Sequence, residues 1–431
     1  VLISRIEACE ARDYVRGATI QPHLLFAAFN PATCVVKRAS AHAGSPPLGT
    51  KLADWLSAAS MQAISELCRN HATTARCRRS FVSVGFNGPG AGGSEGFIYP
   101  AGNLLCLELE PPQQTVPNAG VQALSGQFFE MVEQVAGADL PSSDLAAVVC
   151  AALRQITGFD RIYFCCFDRH GHGHVPAESR GDRLSSLLDH HFPATDIPWT
   201  IRGLYRINPF RLIADIDAAP VAILGDAGAP LDLSLSTCRA VAPTHLQYLR
   251  NMGVRASVSF SVVADGQLDA IFGGHNATAA TVSPHGLATA QHLVDLFKTR
   301  FAFLRMREER AMIAGRITAL HELAAGFRLG GRDLGSFAAA NHAKFCDLMD
   351  AGDLLCRFER RSHGGRSLGS HAASLLDFLS RRLAADGGIF CTDCLGDDAP
   401  GGAVLAPGVA GVLAVPLDLD GDNMLVWLRA E

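Results

Sequence analysis

The sequence predicts an α/β (α+β) protein of three consecutive small units, with one long helix joining the second to the third. Three observations predict it. Short apolar strands alternate with helical stretches in three separate parts of the chain. A helical pattern opens near residue 283 and runs on without a break. The 431 residues, 48% apolar and 18% charged, suffice for several domains, each with its own core.

The first unit, residues 1–115, carries strands at 24–30 (LLFAAFN), 34–39 (CVVKRA) and 103–110 (NLLCLELE), around a helix expected over Leu52–Cys68. The turn-rich 111–120 (PPQQTVPNAG) reads as a linker. The second unit, 120–305, ends in the long helix, opened by a capping Ser283 and by Pro284 at the first helical position. Leu293, Phe297, Phe301, Leu304 and Met312 recur on it at helical spacing. Arg305, Arg307, Glu308, Glu309 and Arg310 form its charged face. Such a helix is either a rigid connector with a dimer seam or a helix packed on its own domain, and the pattern leaves both open. The third unit, 306–431, has strands at 354–359, 411–418 and 423–430. No repeat of fixed period relates the units. The chain opens on Val and stops directly after a strand, so more protein is expected on either side.

Charge and cysteines narrow the function. A net charge of −5 offers no basic stripe for nucleic acid. No run of eighteen apolar residues is available to span a bilayer. The first fifteen residues carry charges where an export signal needs an apolar stretch. The 13 cysteines are scattered singly or in loose pairs, which predicts free thiols in a reducing cytoplasm. Cys391 and Cys394 form the one C-x-x-C pair, and without a second pair no metal site is expected.

Three segments carry chemistry. In HHFPATDIPWTIRGLYRINPFRLIADI (190–216), Pro193 and Pro198 bracket Asp196 and Ile197 in extended or turn geometry. An Asp held there can offer a carbonyl and a carboxylate to a ligand, although Asp is also an ordinary turn residue. In CRAVAPTHLQYLRNMGV (238–254), a short helix between Pro243 and Gly253 puts His245, Tyr248 and Met252 on one face. A lone His on such a face is more often plain core. In RASVSFSVVADGQLDAIFGGHN (255–276), alternation sets Ser257, Ser259 and Ser261 against Val258, Phe260 and Val262 around an Asp265-Gly266 hairpin. A plain two-residue loop pairs Ser257 with Gly274 and turns His275 away from the serines. For His275 to join them, the loop must be longer by an odd number or a strand must carry a bulge. Arg211, read as the end of a helical stretch, and Arg239 suit carboxylates through their forked donors.

Taken together, in this order and spacing, these segments resemble the bilin-binding GAF domain of phytochromes, with PATDIP close to that family's PASDIP. FDRIYFCCFDRHGHGHVPAES (159–179) resembles a strand of the same pocket, and CEARDYVRGATIQPH (9–23) the Cys-led PAS segment of bacterial members. Residues 306–431 resemble the PHY domain more loosely, without its hairpin tongue. The resemblance implies three consecutive antiparallel-sheet domains: PAS (1–115), GAF (120–305) and PHY. It also implies an N-terminal figure-of-eight knot, whose loop the 219–236 stretch would supply.

It further implies a red/far-red photoreceptor carrying biliverdin IXα, a linear tetrapyrrole, bound covalently through Cys9. Asp196 would offer its main-chain oxygen to the pyrrole N–H groups, with His245 beside them and His275 on the outer-ring carbonyl. Arg211 and Arg239, with Ser257 and Ser259, would hold the two propionates. Ile197, Pro198, Tyr205, Tyr248, Tyr163 and Cys165 would line the pocket. Light would rotate the outer D ring and the long helix would carry the signal. The implied partners are a second copy through that helix and an output domain or response regulator.

The chain departs from the family at Cys165, where a tyrosine is usual, and at Asp269, where a tryptophan is usual. Removing a phenol frees space and a donor, so altered photoconversion or stronger fluorescence is expected. The alternatives are the sensor half of a histidine kinase whose catalysis lies elsewhere, and a GAF module for a cyclic nucleotide or for dimerisation alone. No kinase phosphate loop is present.

Overall fold

The computed structural model describes residues 18–73, 79–87, 92–111, 130–137, 140–197, 199–225, 231–330, 333–386, 388–399, 406–418 and 420–430. The chain divides into two compact units, meeting at Arg305 and Met306. Among the described residues there are three antiparallel sheets, of seven, six and five strands.

The seven-stranded sheet is built from β1 (Thr19–Ile20), β2 (Leu25–Phe29), β3 (Val36–Ser40), β4 (Ser80–Gly85), β5 (Gly93–Ala101), β6 (Leu104–Leu109) and β11 (Val221–Gly225). The helix expected over Leu52–Cys68 is two pieces, a turn at Leu52–Trp55 and helix α1 (Ala58–Thr73). Leu56 is extended between them, and the Ser57 hydroxyl accepts the Ser60 N–H to start the second. β11 comes from the 219–236 stretch, pairing with both β1 and β3. Leu231, Leu233, Leu235 and Cys238 follow it into a core with Ile20, Phe26 and Tyr99. A sequence-distant segment thus completes the N-terminal sheet, crossing the linker boundary near 115–120. Whether a knot forms turns on residues 1–17, which lie outside the described residues.

The six-stranded sheet runs β10 (Phe210–Ile213), β12 (Ala256–Ala264), β13 (Gln267–Asn276), β7 (Arg161–Phe167), β8 (Gly173–Arg180), β9 (His191–Phe192). Alternation decides its two faces. Phe164, Phe210, Leu212, Val258, Phe260 and Phe272 point back into a core. That core is shared with helix α2 (Ser142–Thr157) and with Leu293, Phe297 and Leu304 at the start of the long helix α5 (Pro284–Gly330). Each such Phe contributes about 1.5–3 kcal/mol by leaving water. Ser283 caps α5 as expected, accepting the Gly286 N–H at 3.1 Å. The front face of the sheet is left for polar groups. Over it lie α3 (Trp199–Ile207) and α4 (Pro243–Asn251).

The second compact unit holds the five-stranded sheet β15 (Arg361–Gly364), β14 (Asp353–Phe358), β18 (Met424–Ala430), β17 (Val409–Pro416), β16 (Phe390–Thr392). Three of these strands match those expected; β15 and β16 are short and carry no clear apolar alternation. Leu375, Leu376, Leu379 and Leu383 of helix α6 (Ala372–Asp386) cover the sheet. No helix among the described residues is long and apolar enough to cross a membrane.

Candidate functional site

Rows of cross-strand neighbours build the floor of the site, because directly opposed residues share a face. One row is Ile213, Ser257, His275 and Arg161. The next is Arg211, Ser259, Gly273 and Tyr163. Ser261, Ile271 and Cys165 form the third. The serines face this floor and not solvent: Ser259 and Ser261 are buried. Arg211 is not the end of a helix but a residue of β10. Pro209 ends α3, since a proline disfavours helix at the residue before it and lacks a donor.

His275 reaches this face through a bulge. The Asp265-Gly266 loop is indeed two residues, with both at positive φ (48° and 75°), as the tightest hairpin turn requires. Val263 pairs with Leu268 but Val262 with Ala270, so Asp269 is extra and the register shifts by one.

Two adjoining cavities stand over the floor. The larger spans about 750 Å³, part of it open to solvent, and is lined by Tyr205, Arg211, Arg239, His245, Ser257 and Ser259, with Ile201, Leu204 and Asn208. Tyr205, His245, Ser257 and Ser259 also line the second, of about 580 Å³. There they meet Asp196, Ile197, Tyr163, Cys165, Tyr248 and His275. Every site residue expected from sequence and described by the structure therefore lines one continuous space. Cys9 and Pro198 lie outside the described residues.

The electrostatics differ from end to end. Arg211 and Arg239 are at one end, where Arg211 donates to the carbonyls of Arg239 and Ala240 at 3.1 and 3.2 Å. Nε of Arg211, and Nε and Nη1 of Arg239, are buried without a hydrogen-bond partner. Burial lowers both guanidiniums, Arg239 to about 9 with Arg211 adding to it, which leaves Arg239 charged at neutral pH. Unmet buried donors are costly, and two cationic forks side by side call for acceptors such as carboxylates. At the other end His275 is held by burial, then by Arg161 and His245, down to about 3. Arg161 Nη2 lies 2.7 Å from His275 Nδ1. A guanidinium only donates, so Nδ1 accepts and the imidazole proton sits on Nε2, where the Tyr163 hydroxyl is 3.5 Å away. His275 is therefore a neutral donor facing the cavity.

Between the ends, burial and then Arg211 lower His245 to about 4, leaving a second neutral imidazole. The Tyr248 hydroxyl donates to Asp196 at 3.0 Å. Arg202 braces the turn that carries Asp196, donating to Ile197 O at 2.7 Å and to Gly171 O. Gly273 is needed for closeness: a Cβ there would stand 2.3 Å from the Tyr163 ring. Burial pushes the Cys165 thiol up to about 12.

Sequence reasoning missed Arg161, which sets the tautomer of His275, and the apolar lining by Ile201 and Leu204; Met252, expected on one face with His245 and Tyr248, lines the second cavity with them. Strand alternation with Tyr163 and Cys165 was the available signal for Arg161. No group of three or more metal-ligating side chains in position to hold an ion occurs among the described residues.

Likeness to known proteins agrees with this geometry. Residues 322–431 match the family model described as the phytochrome region. The chain is 27% identical over 343 residues to cyanobacterial phytochrome B of Nostoc sp., covering 76% of this chain and 44% of that protein. It is 30% identical over 314 residues to a bacteriophytochrome of Xanthomonas campestris, covering 67% and 47% respectively. The chain thus spans less than half the length of these relatives. Its fold superposes on a bacteriophytochrome from the photosynthetic bacterium R. palustris with a TM-score of 0.78 at 26% identity, covering 99% of this chain and 86% of that one. With three antiparallel sheets and a long helix that superpose on a bacteriophytochrome, a match of its last part to the phytochrome region and relatives that are phytochromes, the chain belongs to the phytochrome family of photoreceptors.

Proposed function

We propose that this chain is the light-sensing module of a red/far-red photoreceptor that holds biliverdin covalently through Cys9 and passes its state to an output module. The observation that carries the reading is the pair of buried guanidinium groups, each with a donor unmet, at one end of a cavity whose other end presents a neutral imidazole donor. Two carboxylates and, apart from them, a carbonyl are what those groups can satisfy, and biliverdin has both in the propionates of its inner rings and the carbonyls of its outer ones. When bound, that group supplies absorption of red light and isomerisation about a methine double bond.

The chain's own residues do the rest. Arg211 and Arg239, with Ser257 and Ser259, bind the propionates. The Asp196 main-chain oxygen accepts from pyrrole N–H groups while Tyr248 fixes its carboxylate. His245 offers a neutral acceptor beside them. His275 donates from Nε2 to the outer-ring carbonyl and exchanges that bond when the ring turns. Tyr163, Cys165, Tyr205 and Ile197 wall the pocket.

The long helix supports a dimer and a route to the output. Phe303, Met306, Ile313, Ile317 and Leu320 on α5 are 43–51% exposed, and the last three follow the alternating four- and three-residue steps of a coiled-coil seam. A cytoplasmic histidine kinase or response-regulator partner is the output this reading expects. A fluorescent, weakly photoactive sensor is the second reading, favoured by the small Cys165 side chain beside His275 and Tyr163 in the cavity.

Adding biliverdin to the protein tests the proposal. A red absorption band and a zinc-fluorescent band on a denaturing gel are expected, the latter lost in Cys9→Ala. An unchanged pigment spectrum would remove the reading.

A further inference from the structure

Arg239 owes its place to the N-terminal sheet. Residues 235–240 are held one after another by that sheet and the chain entering it. Arg79 donates to Leu235 O at 3.0 Å. The Gln21 N–H donates to Cys238 O at 2.7 Å, and Gln21 Nε2 to Arg239 O at 3.2 Å. Ala240 N–H reaches Thr19 O at 3.3 Å. The strongest hold is on the two residues in the middle. Glu108 of β6 is fully buried, and its carboxyl group accepts from the Ser236 hydroxyl, the Thr237 N–H at 3.0 Å and the Thr237 hydroxyl. The Tyr99 hydroxyl adds a fourth donor at 2.7 Å.

A carboxyl group at the centre of a sheet is costly unless its lone pairs are filled, and here four donors fill them. Three of the four come from the segment that leads, two residues on, into the ligand cavity. Sheet alternation explains why Glu108 and Cys106 face this segment while Leu105, Leu107 and Leu109 face the opposite core. Within the sheet the carboxyl group meets only the Tyr99 hydroxyl; its other three donors belong to Ser236 and Thr237.

We propose that Glu108 is a positioning residue for Arg239: by fixing Ser236 and Thr237 it sets where the Arg239 guanidinium stands and so gives the cavity its preference for a ligand bearing carboxylates. This rests on the bilin reading above. Glu108 touches no ligand and acts only through the backbone from Thr237 to Arg239. Ser236→Ala, Thr237→Val and Glu108→Gln remove successively more of the hold, and Thr237→Val keeps the shape and the backbone donor.

Biliverdin and its dimethyl ester distinguish positioning from plain structure, because the ester keeps the pigment's shape and loses both charges. Dissociation constants for the two are measured in the Cys9→Ala protein, where binding stays reversible. Glu108→Gln is expected to weaken biliverdin about tenfold and the ester less than about twofold, with Thr237→Val moving the same ratio in the same direction. Equal loss of both ligands, or no loss of either, overturns the proposal. Should Glu108→Gln fail to fold, the ratio in Thr237→Val decides. If the unaltered cavity binds neither pigment, it is the bilin reading that fails, and this inference falls with it.

Discussion

Ser257 on β12 and His275 on β13 stand directly opposite one another, and they do so because Asp269 is extruded from the ladder. A two-residue turn by itself would have paired Ser257 with Gly274 and sent His275 into the apolar core. The bulge reconciles the tightest turn with a polar floor. Deleting Asp269 should therefore be tolerated, since Ala270 then follows Leu268 in register and His275 still meets Ser257. Stability within about 1 kcal/mol of the parent and an intact pigment spectrum are expected. Denaturant unfolding and absorbance check it; loss of the pigment band would show that the extra residue itself is required.

Arg239 is nearly fully buried with two donor atoms unmet, so the pigment-free protein carries an uncompensated cation. Arg239→Met should stabilise that state by about 1–3 kcal/mol. The same change should weaken biliverdin at least about tenfold. Thermal unfolding without pigment checks the first and a biliverdin titration the second; a loss of stability or an unchanged affinity would refute the assignment.

His275 predicts a pH dependence. Its folded value, about 3, lies below the ordinary 6.5, so between these limits the unfolded chain binds more protons. The stabilisation is therefore complete above about pH 6.5 and is lost as pH falls toward 3, by about 1.4 kcal/mol per unit. His275→Gln should flatten urea-unfolding midpoints across pH 5 to 7 by that amount. His245 and His23, both lowered to about 4, keep their share of the slope, and a slope unchanged by the substitution would place the titration elsewhere.

Cys165 is buried beside Phe192 and Ile271 on the wall of the second cavity, where a short thiol stands in place of a ring. Cys165→Tyr should put a ring there and restore a hydroxyl donor. Lower fluorescence and more complete photoconversion of the pigment-loaded protein are expected, read by emission yield and red/far-red difference spectra. Unchanged values would mean that this wall does not govern the excited state.

Much of this was legible in the order of the residues. Pro243 and Gly253 frame α4 with its His245 and Tyr248 on one face, and Ser283-Pro284 opens α5. Both are local capping and turn effects that a short window contains. The pairing of Arg211 with Ser259 was not, because the sequence around Arg211 reads as the tail of a helix until Pro209 is allowed to end it. Nor was the tautomer of His275, which a guanidinium 114 residues away in sequence decides.

The sequence by itself determined which side chains exist to meet a bilin and which strand faces carry them, since alternation and caps act within a few residues. Tertiary structure alone decided that those faces close on one space, and that β11 and residues 235–240 belong to the N-terminal sheet. Only tertiary structure could show that the carboxyl group holding Arg239 in place comes from Glu108. The reason is physical: burial and unmet hydrogen bonds are properties of segments brought together across the chain, and no local pattern records which distant partner will satisfy them.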